Sequence, residues 1–324
     1  MSNLLISRKP RSTSQTRAEN SVNGGDAETF AMAKVVLACR GEGQWGSRED
    51  DNSKIDLIFS SRHPWHAGER MLVLCQVKSG AAYGATLPAR TGFKLMGAAK
   101  TAAKRSSHDI CVVWVDRDAD RAFWAYIHPD TRSDVQLYAG HHEISPAMIF
   151  DLARCMASRR RGGSEGGNGV MLPPEAHDFR AQRKAALVSY RQTKTVRSPI
   201  LGDIEFTKVG WRHMFRKSRS ARNKSASANI IPRLRPLLQS HPSSNVITSM
   251  YIQEIDGMTY RKCEHLLKFA KVNIRDNSRG FRNIVAHVRI MEEIRYPTDW
   301  DQKSMLSQIV ERRLALKSAY YKES

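Results

Sequence analysis

Residues 71–78 read MLVLCQVK, an almost unbroken apolar run that closes on Gln76 and Lys78. A strand with one wet face alternates apolar and polar side chains, whereas a continuous run needs cover on both faces. Such a segment belongs at the centre of a sheet, and the chain must supply flanking strands and a helical layer around it. The neighbouring sequence does so. Gly24-Gly25-Asp26 opens a helix that runs to about Arg40 and stops at Gly41. KIDLIFS, residues 54–60, reads as a strand, with a turn through His63, Pro64 and Gly68 before the apolar run. Residues 92–105 read as a helix, 109–115 and 123–127 as two strands, and Ser145 as the cap of a helix through Arg159. This order predicts an α/β unit with a mixed sheet.

The pattern then breaks. RRGGSEGGNG, at 160–169, is linker-like, and Pro173-Pro174 stiffens its continuation. A short basic helix is expected at 179–191, a strand at 203–209, and helical sequence at 211–239 interrupted by Pro232 and Pro236. Strands are expected at 246–255, 266–274 and 284–294, with a closing helix at 303–320. The expected organisation is a flexible basic tail (1–21), a first domain (22–159), a linker (160–197) and a basic α+β domain (198–324).

Lys and Arg number 52 against 32 Asp and Glu, a formal charge of +20. Residues 161–324 hold 30 basic and 15 acidic side chains, so this half carries +15 of the total. A surplus of that size repels itself unless a polyanion relieves it, and nucleic acid is the commonest such partner. The five cysteines form no C-x-x-C pair, which fits reduced thiols in a cytoplasmic protein. The amino terminus lacks the apolar core of a signal peptide, and no apolar run reaches membrane-spanning length, so no membrane partner is expected. His63, His66, His141 and His142 are expected in exposed loops.

Two groups of residues carry chemistry. Asp56 lies in the first of two neighbouring strands, and Gln76 and Lys78 lie two apart, on one face, at the end of the second. Phosphodiester hydrolysis uses a hard cation held by oxygen ligands. Asp56 would give a charged oxygen, the Gln76 amide a neutral one, and Lys78 an ammonium for the transition state. A second acid is needed, and Glu28 is the best placed, on a helix face shared with Met32, Val35, Val36 and Cys39. Each of these residues has an ordinary structural role available; the ordered combination is what points to catalysis. That combination resembles the PD-(D/E)XK superfamily, the restriction-endonuclease-like fold, in its Mrr-like branch where Q-x-K replaces (D/E)-x-K. The similarity spans roughly 22–155 and takes in Tyr83 and the FWAYI strand at 123–127. It implies a nuclease dependent on Mg²⁺ or Mn²⁺, with Glu28, Asp56 and Gln76 as metal ligands and Lys78 as the fourth catalytic residue.

The second group lies in residues 206–253, which hold nine Lys or Arg and no acid. A solvated helix normally mixes both signs, so a one-signed run points to phosphate contacts. Lys208, Arg212, Lys217, Arg219 and Lys224 are expected to bind nucleic acid. The passage DIEFTKVGWRHMFRKSR resembles the barnase/EndoU/colicin/RelE-type ribonuclease toxins, over roughly 198–300. The resemblance implies metal-free RNA cleavage, with His213 near neutral pKa, Arg216 and Arg222 around the phosphate, and His287 and Arg289 from one sheet face. A closing helix departs from that family, whose chain ends on a strand. Thr298 is a lesser candidate, and His265, His287 and Thr298 equally fit a plain surface. A chain joining two such modules implies a toxin or anti-phage role. The competing reading is a non-catalytic nucleic-acid-binding protein on a degenerate nuclease fold, favoured by Gln76 where an acid is usual.

Overall fold

The computed structural model of the chain describes residues 17–47, 55–80, 83–87, 90–95, 109–127, 136–138, 142–159, 169–174, 178–276, 280–304 and 309–323. Contacts divide it into two compact units. The first comprises Met1–Val36, Glu42–Phe59 and Leu72–Ile144; the second comprises Leu37–Gly41, Ser60–Met71 and Ser145–Ser324. Helices and mixed sheets occur together, as the α/β reading requires.

In the first unit, helix α1 (Arg17–Cys39) begins earlier than the Gly24-Gly25 signal suggests. It buries Ala27, Ala31 and Val35, spaced by one helical turn. Strands β1 (Glu42–Trp45), β2 (Leu57–Arg62), β3 (Arg70–Ser79), β6 (Ile110–Asp116) and β7 (Arg121–Ile127) form a sheet in the order β1-β2-β3-β6-β7. The apolar run is its central strand. β3 runs parallel to β6, with Gln76 opposite Val112 and Lys78 opposite Trp114, and β6 is antiparallel to β7. Ile110, Val112, Trp114, Phe123, Ala125 and Ile127 form an apolar cluster on one face, and Tyr83 packs against it. β4 (Gly84–Leu87), β5 (Arg90–Leu95) and β8 (Gln136–Tyr138) make a small second sheet. The helix expected at 92–105 is therefore replaced by strand over its first four residues, where Gly92 disfavours helix and Phe93 favours strand. Its remainder lies outside the described residues.

The second unit is built on a seven-stranded sheet. Its elements are α2 (Met148–Arg159), β9 (Val170–Leu172), α3 (Phe179–Gln192), β10 (Thr195–Ser198), β11 (Gly202–Glu205), α4 (Lys208–Met214), α5 (Ala221–Ile230), α6 (Leu234–Gln239), β12 (Ser244–Ile255), β13 (Met258–Asp276), β14 (Gly280–Pro297) and β15 (Glu311–Glu323). The strand order is β10-β11-β15-β14-β13-β12, with β9 parallel against β13. The boundary thus differs from the expected one: α2 belongs here, and so do β9, α3 and β10 from the stretch read as linker. The closing helix expected at 303–320 is also overturned, because residues 311–323 form β15. Glu, Arg, Leu, Ala and Lys all favour helix, but Leu314 and Leu316 alternate with wetter positions and pack against β14. Asp256 and Gly257, both at positive φ, make the two-residue turn that joins β12 to β13.

The sheet has one covered and one open face. Ala286, Val288 and Ile290 of β14 enter the core with Leu267, Phe269, Leu316 and Ala319. His287, Arg289 and Met291 leave the opposite side. Helix α4 lies tightly against β15, since a Cβ at Gly210 would collide with the Leu316 carbonyl. On the covered face Arg261 pairs with Asp151 of α2 at 2.6 Å, with both side chains almost fully buried. Arg154 adds a contact to Asp151 at 3.1 Å. Glu292 receives His265 at 3.0 Å and Arg312 at 2.7 Å.

Burial alone would push the Asp151 and Glu292 carboxyls up. Arg261 and Arg154 overcome it at Asp151, while Arg312, His265 and Arg261 overcome it at Glu292, and both end below their ordinary values of 3.8 and 4.5. A depressed folded-state carboxyl contributes stability that is present above its unfolded pKa and lost as the pH falls. Urea unfolding of the second unit should therefore show constant stability down to about pH 4.5 and a steady loss below it. Asp151→Asn should cost about 3–5 kcal/mol at pH 7, because it leaves Arg261 buried without its counter-ion, and should flatten that acid dependence.

Candidate functional sites

In the first unit, Asp56 stands just before β2. Its N–H donates to the Cys75 carbonyl at 2.9 Å, and its Oδ2 accepts from the Val77 N–H at 2.5 Å. The carboxylate is thereby fixed on the β3 backbone between Gln76 and Lys78. Those two side chains leave β3 on the face of Val112 and Trp114, as the two-residue period requires. The Trp114 indole N–H donates to the Gly80 carbonyl at 3.1 Å and ties down the turn after β3. Lys78 is half-buried. Gln76 is 2% exposed, and its amide oxygen is buried with no hydrogen-bond partner. Such an atom costs free energy unless a cation or donor meets it. Glu28 lies half-buried on α1, one position from the Ala27–Ala31–Val35 stripe.

Among the described residues, no group of three or more His, Cys, Asp or Glu side chains is arranged to hold a metal. The donor set that remains is sparse: a carboxylate, an amide oxygen, and Glu28 on the helix. Of the hard cations, Mg²⁺ asks least of such donors, since it keeps several waters and takes one or two carboxylates plus substrate phosphate oxygens. The partnerless Gln76 oxygen is the observation that favours this fit.

In the second unit, the open face gathers charge. The Arg289 guanidinium donates to Glu264 Oε1 at 2.5 Å, and the Lys317 ammonium contacts Glu264 Oε2. Burial raises the Glu264 carboxyl, but hydrogen bonds from Lys317 and Arg289 more than offset it and keep the group ionised. Arg289 also bonds the Tyr320 hydroxyl. The Tyr320 ring stacks on His287 at 5.2 Å and lies beneath the Arg219 guanidinium at 5.2 Å. His213, at the end of α4, lies in the field of this group. Burial, then Arg216, Lys317 and Arg219, push its imidazole below 6.5, with Glu264 opposing. Burial together with Lys322, Lys268 and Arg289 does the same to His287.

The structure therefore brings together His213, Arg216, Arg219, His287 and Arg289. It adds three residues that sequence reasoning missed: Glu264, Lys317 and Tyr320. Arg222 instead pairs with Glu323 at 3.3 Å. Lys224 donates to the Lys217 carbonyl at 3.3 Å. Lys208 and Arg212 line a groove beside Trp211, and Lys217 is exposed. His265 is no surface residue, being 1% exposed against Glu292. Thr298 shares a hydroxyl contact with Thr259 at 3.2 Å. His63 and His66, expected in exposed loops, are half-buried, and His63 Nδ1 accepts from the His66 N–H at 3.3 Å.

No family model, curated protein or solved structure matches this chain.

An imidazole lowered by burial and by surrounding cations should respond to an anion placed among those cations. NMR titration should give His213 a pKa below 6.5 in the free protein, rising when inorganic phosphate or an oligonucleotide binds. An unshifted, phosphate-insensitive imidazole would remove His213 from the group.

Proposed function

We propose that the chain is a nuclease whose second unit cleaves RNA without metal and whose first unit is a metal-dependent phosphodiesterase. The reading is carried by the convergence of His213, Glu264, Arg289 and Lys317 on one open sheet face, with Arg219, Tyr320 and His287 beside them. In RNA the nucleophile is the 2′-hydroxyl of the substrate. Neutral His213 takes its proton, the oxygen attacks phosphorus, and a 2′,3′-cyclic phosphate forms as the 5′-oxygen departs. That leaving oxygen takes a proton from His287, which the bound phosphate shifts back toward its charged form. Arg289, Lys317 and Arg219 meet the negative charge that grows on the phosphoryl oxygens. Glu264 balances Arg289 and Lys317 before substrate arrives and aims both.

In the first unit, Asp56, Gln76 and Glu28 would hold Mg²⁺ or Mn²⁺, which when bound supplies an activated hydroxide and neutralises charge. Lys78 orients the attacking water and stabilises the transition state. Two such centres suit a toxin or anti-phage role. One observation favours the competing reading for this unit, a degenerate fold that only binds: the Asp56 carboxylate is already engaged by a backbone N–H.

RNA and plasmid cleavage, each with Mg²⁺ and with EDTA, separates these readings. RNA should be cut in EDTA, leaving cyclic phosphate ends. His213→Ala should lower kcat by about 10²–10⁴ with little change in binding. Plasmid nicking should require Mg²⁺ and vanish in Lys78→Ala. Salt-sensitive binding with no cleavage under either condition would leave only the binding protein.

A further inference from the structure

Helix α4 carries His213 on one side and a second groove, of about 500 Å³, on another. The floor of that groove is aromatic. Phe206 and Trp211 both lie against Tyr190, with ring centres 5.2 and 5.4 Å away. The Tyr190 hydroxyl is fixed by donating to the Thr207 carbonyl at 2.8 Å. The rim holds Arg191, Lys194, Lys208 and Arg212, all exposed. Among the described residues none of these four is in an ion pair. Glu205, the acid among the lining residues, is already held by Arg313 at 2.7 Å.

The groove on the open face beside Glu264 differs, although its size is similar at about 510 Å³. There Lys262, Arg313 and Lys317 are each matched by Glu293, Glu205 and Glu264. Free cations and half-buried rings thus coincide in the first groove and not in the second. Lys208, Trp211 and Arg212 stand at helical spacings of three and four, so they share a side of α4, while Gly210 and Met214 turn to the core.

We infer that this groove binds a nucleotide of single-stranded nucleic acid, with an unpaired base on Phe206 and Trp211 and flanking phosphates on the four cations. The inference rests on the nucleic-acid substrate proposed above and names its class. Every base has a flat π-face, so an aromatic floor accepts any unpaired base, and each stack contributes about 1–3 kcal/mol. A duplex keeps its bases stacked on one another and offers such a floor only phosphate. A strand leaving the His213 group has one short helix to cross before it reaches the groove.

The test measures binding of the full chain to fluorescein-labelled oligo(dT)₁₂ in EDTA. This probe has no 2′-hydroxyl and the medium no metal, so neither proposed reaction interferes. A DNA hairpin with the same number of phosphates is the comparison, and polyglutamate is the competitor. Single strand should bind more tightly than hairpin. Trp211→Ala should weaken it by about 5- to 150-fold and leave the hairpin nearly unchanged. Trp211 also packs on Tyr190, so the exposed pair Arg191→Ala/Lys194→Ala gives an independent reading. It should keep the melting temperature and lower the slope of log affinity against log salt by about 1.4. Equal affinity for hairpin and single strand, or an unchanged salt slope in the double variant, would overturn the inference, as would equal displacement by polyglutamate. Trp211-dependent oligo(dT) binding without RNA cleavage removes the reaction proposed above and keeps this site. Cleavage with Trp211-independent binding does the reverse.

Discussion

Arg261 and Asp151 set the terms for the second unit. A guanidinium almost fully buried behind a sheet is tolerated only beside an equally buried carboxylate, so α2 must dock where Asp151 reaches it. Glu292, His265 and Arg312 extend the same requirement across β13, β14 and β15. The covered face therefore specifies strand register by charge as well as by shape: a slip of one residue would send Arg261 and His265 to the other side. With that register set, Glu264 and Arg289 must project from the open face, where Lys317 of β15 meets them. The charged cluster on one side of the sheet follows from the ion network on the other.

Much of this was legible in the chain. The run at 71–78 announced a central strand, and the two-residue period put Gln76 and Lys78 on one face. The acid-free stretch marked α4 and α5 as a source of cations. The features that escaped reading have physical causes. Residues 311–323 are made of good helix formers, so propensity outweighed the alternation of Leu314 and Leu316, and Lys317 and Tyr320 were lost with the strand. Glu264 was lost because β13 was expected to start at 266; the Asp256-Gly257 turn, a strong hairpin signal, places its start at Met258. Arg222 shows the limit of reading a basic run as one surface, since helical turn and sequence order send it to Glu323 instead.

In the proposed function, the two units would reach phosphate chemistry from opposite starting points. In the first, the informative atom is a neutral amide oxygen buried in the sheet without a hydrogen-bond partner. In the second, the informative feature is balance: Glu264 offsets two cations, while burial and the remaining cations lower the His213 imidazole. The metal ion proposed for the first unit takes the part that fixed arginines and lysines take in the second.

The close approach of Gly210 to β15 has a mechanical meaning. No side chain separates the helix from the strand backbone, so α4 has no layer of flexible atoms in which to slide or roll. His213 and Trp211, on different sides of that helix, are fixed to the same rigid rod, and the rod is fixed to the strand that carries Lys317 and Tyr320. A helix of seven residues is about 10 Å long. Trp211 and His213 are rooted two residues apart, about 3 Å along the axis, so the helix fixes where the indole and the imidazole start and leaves only side-chain rotation to vary the span between them.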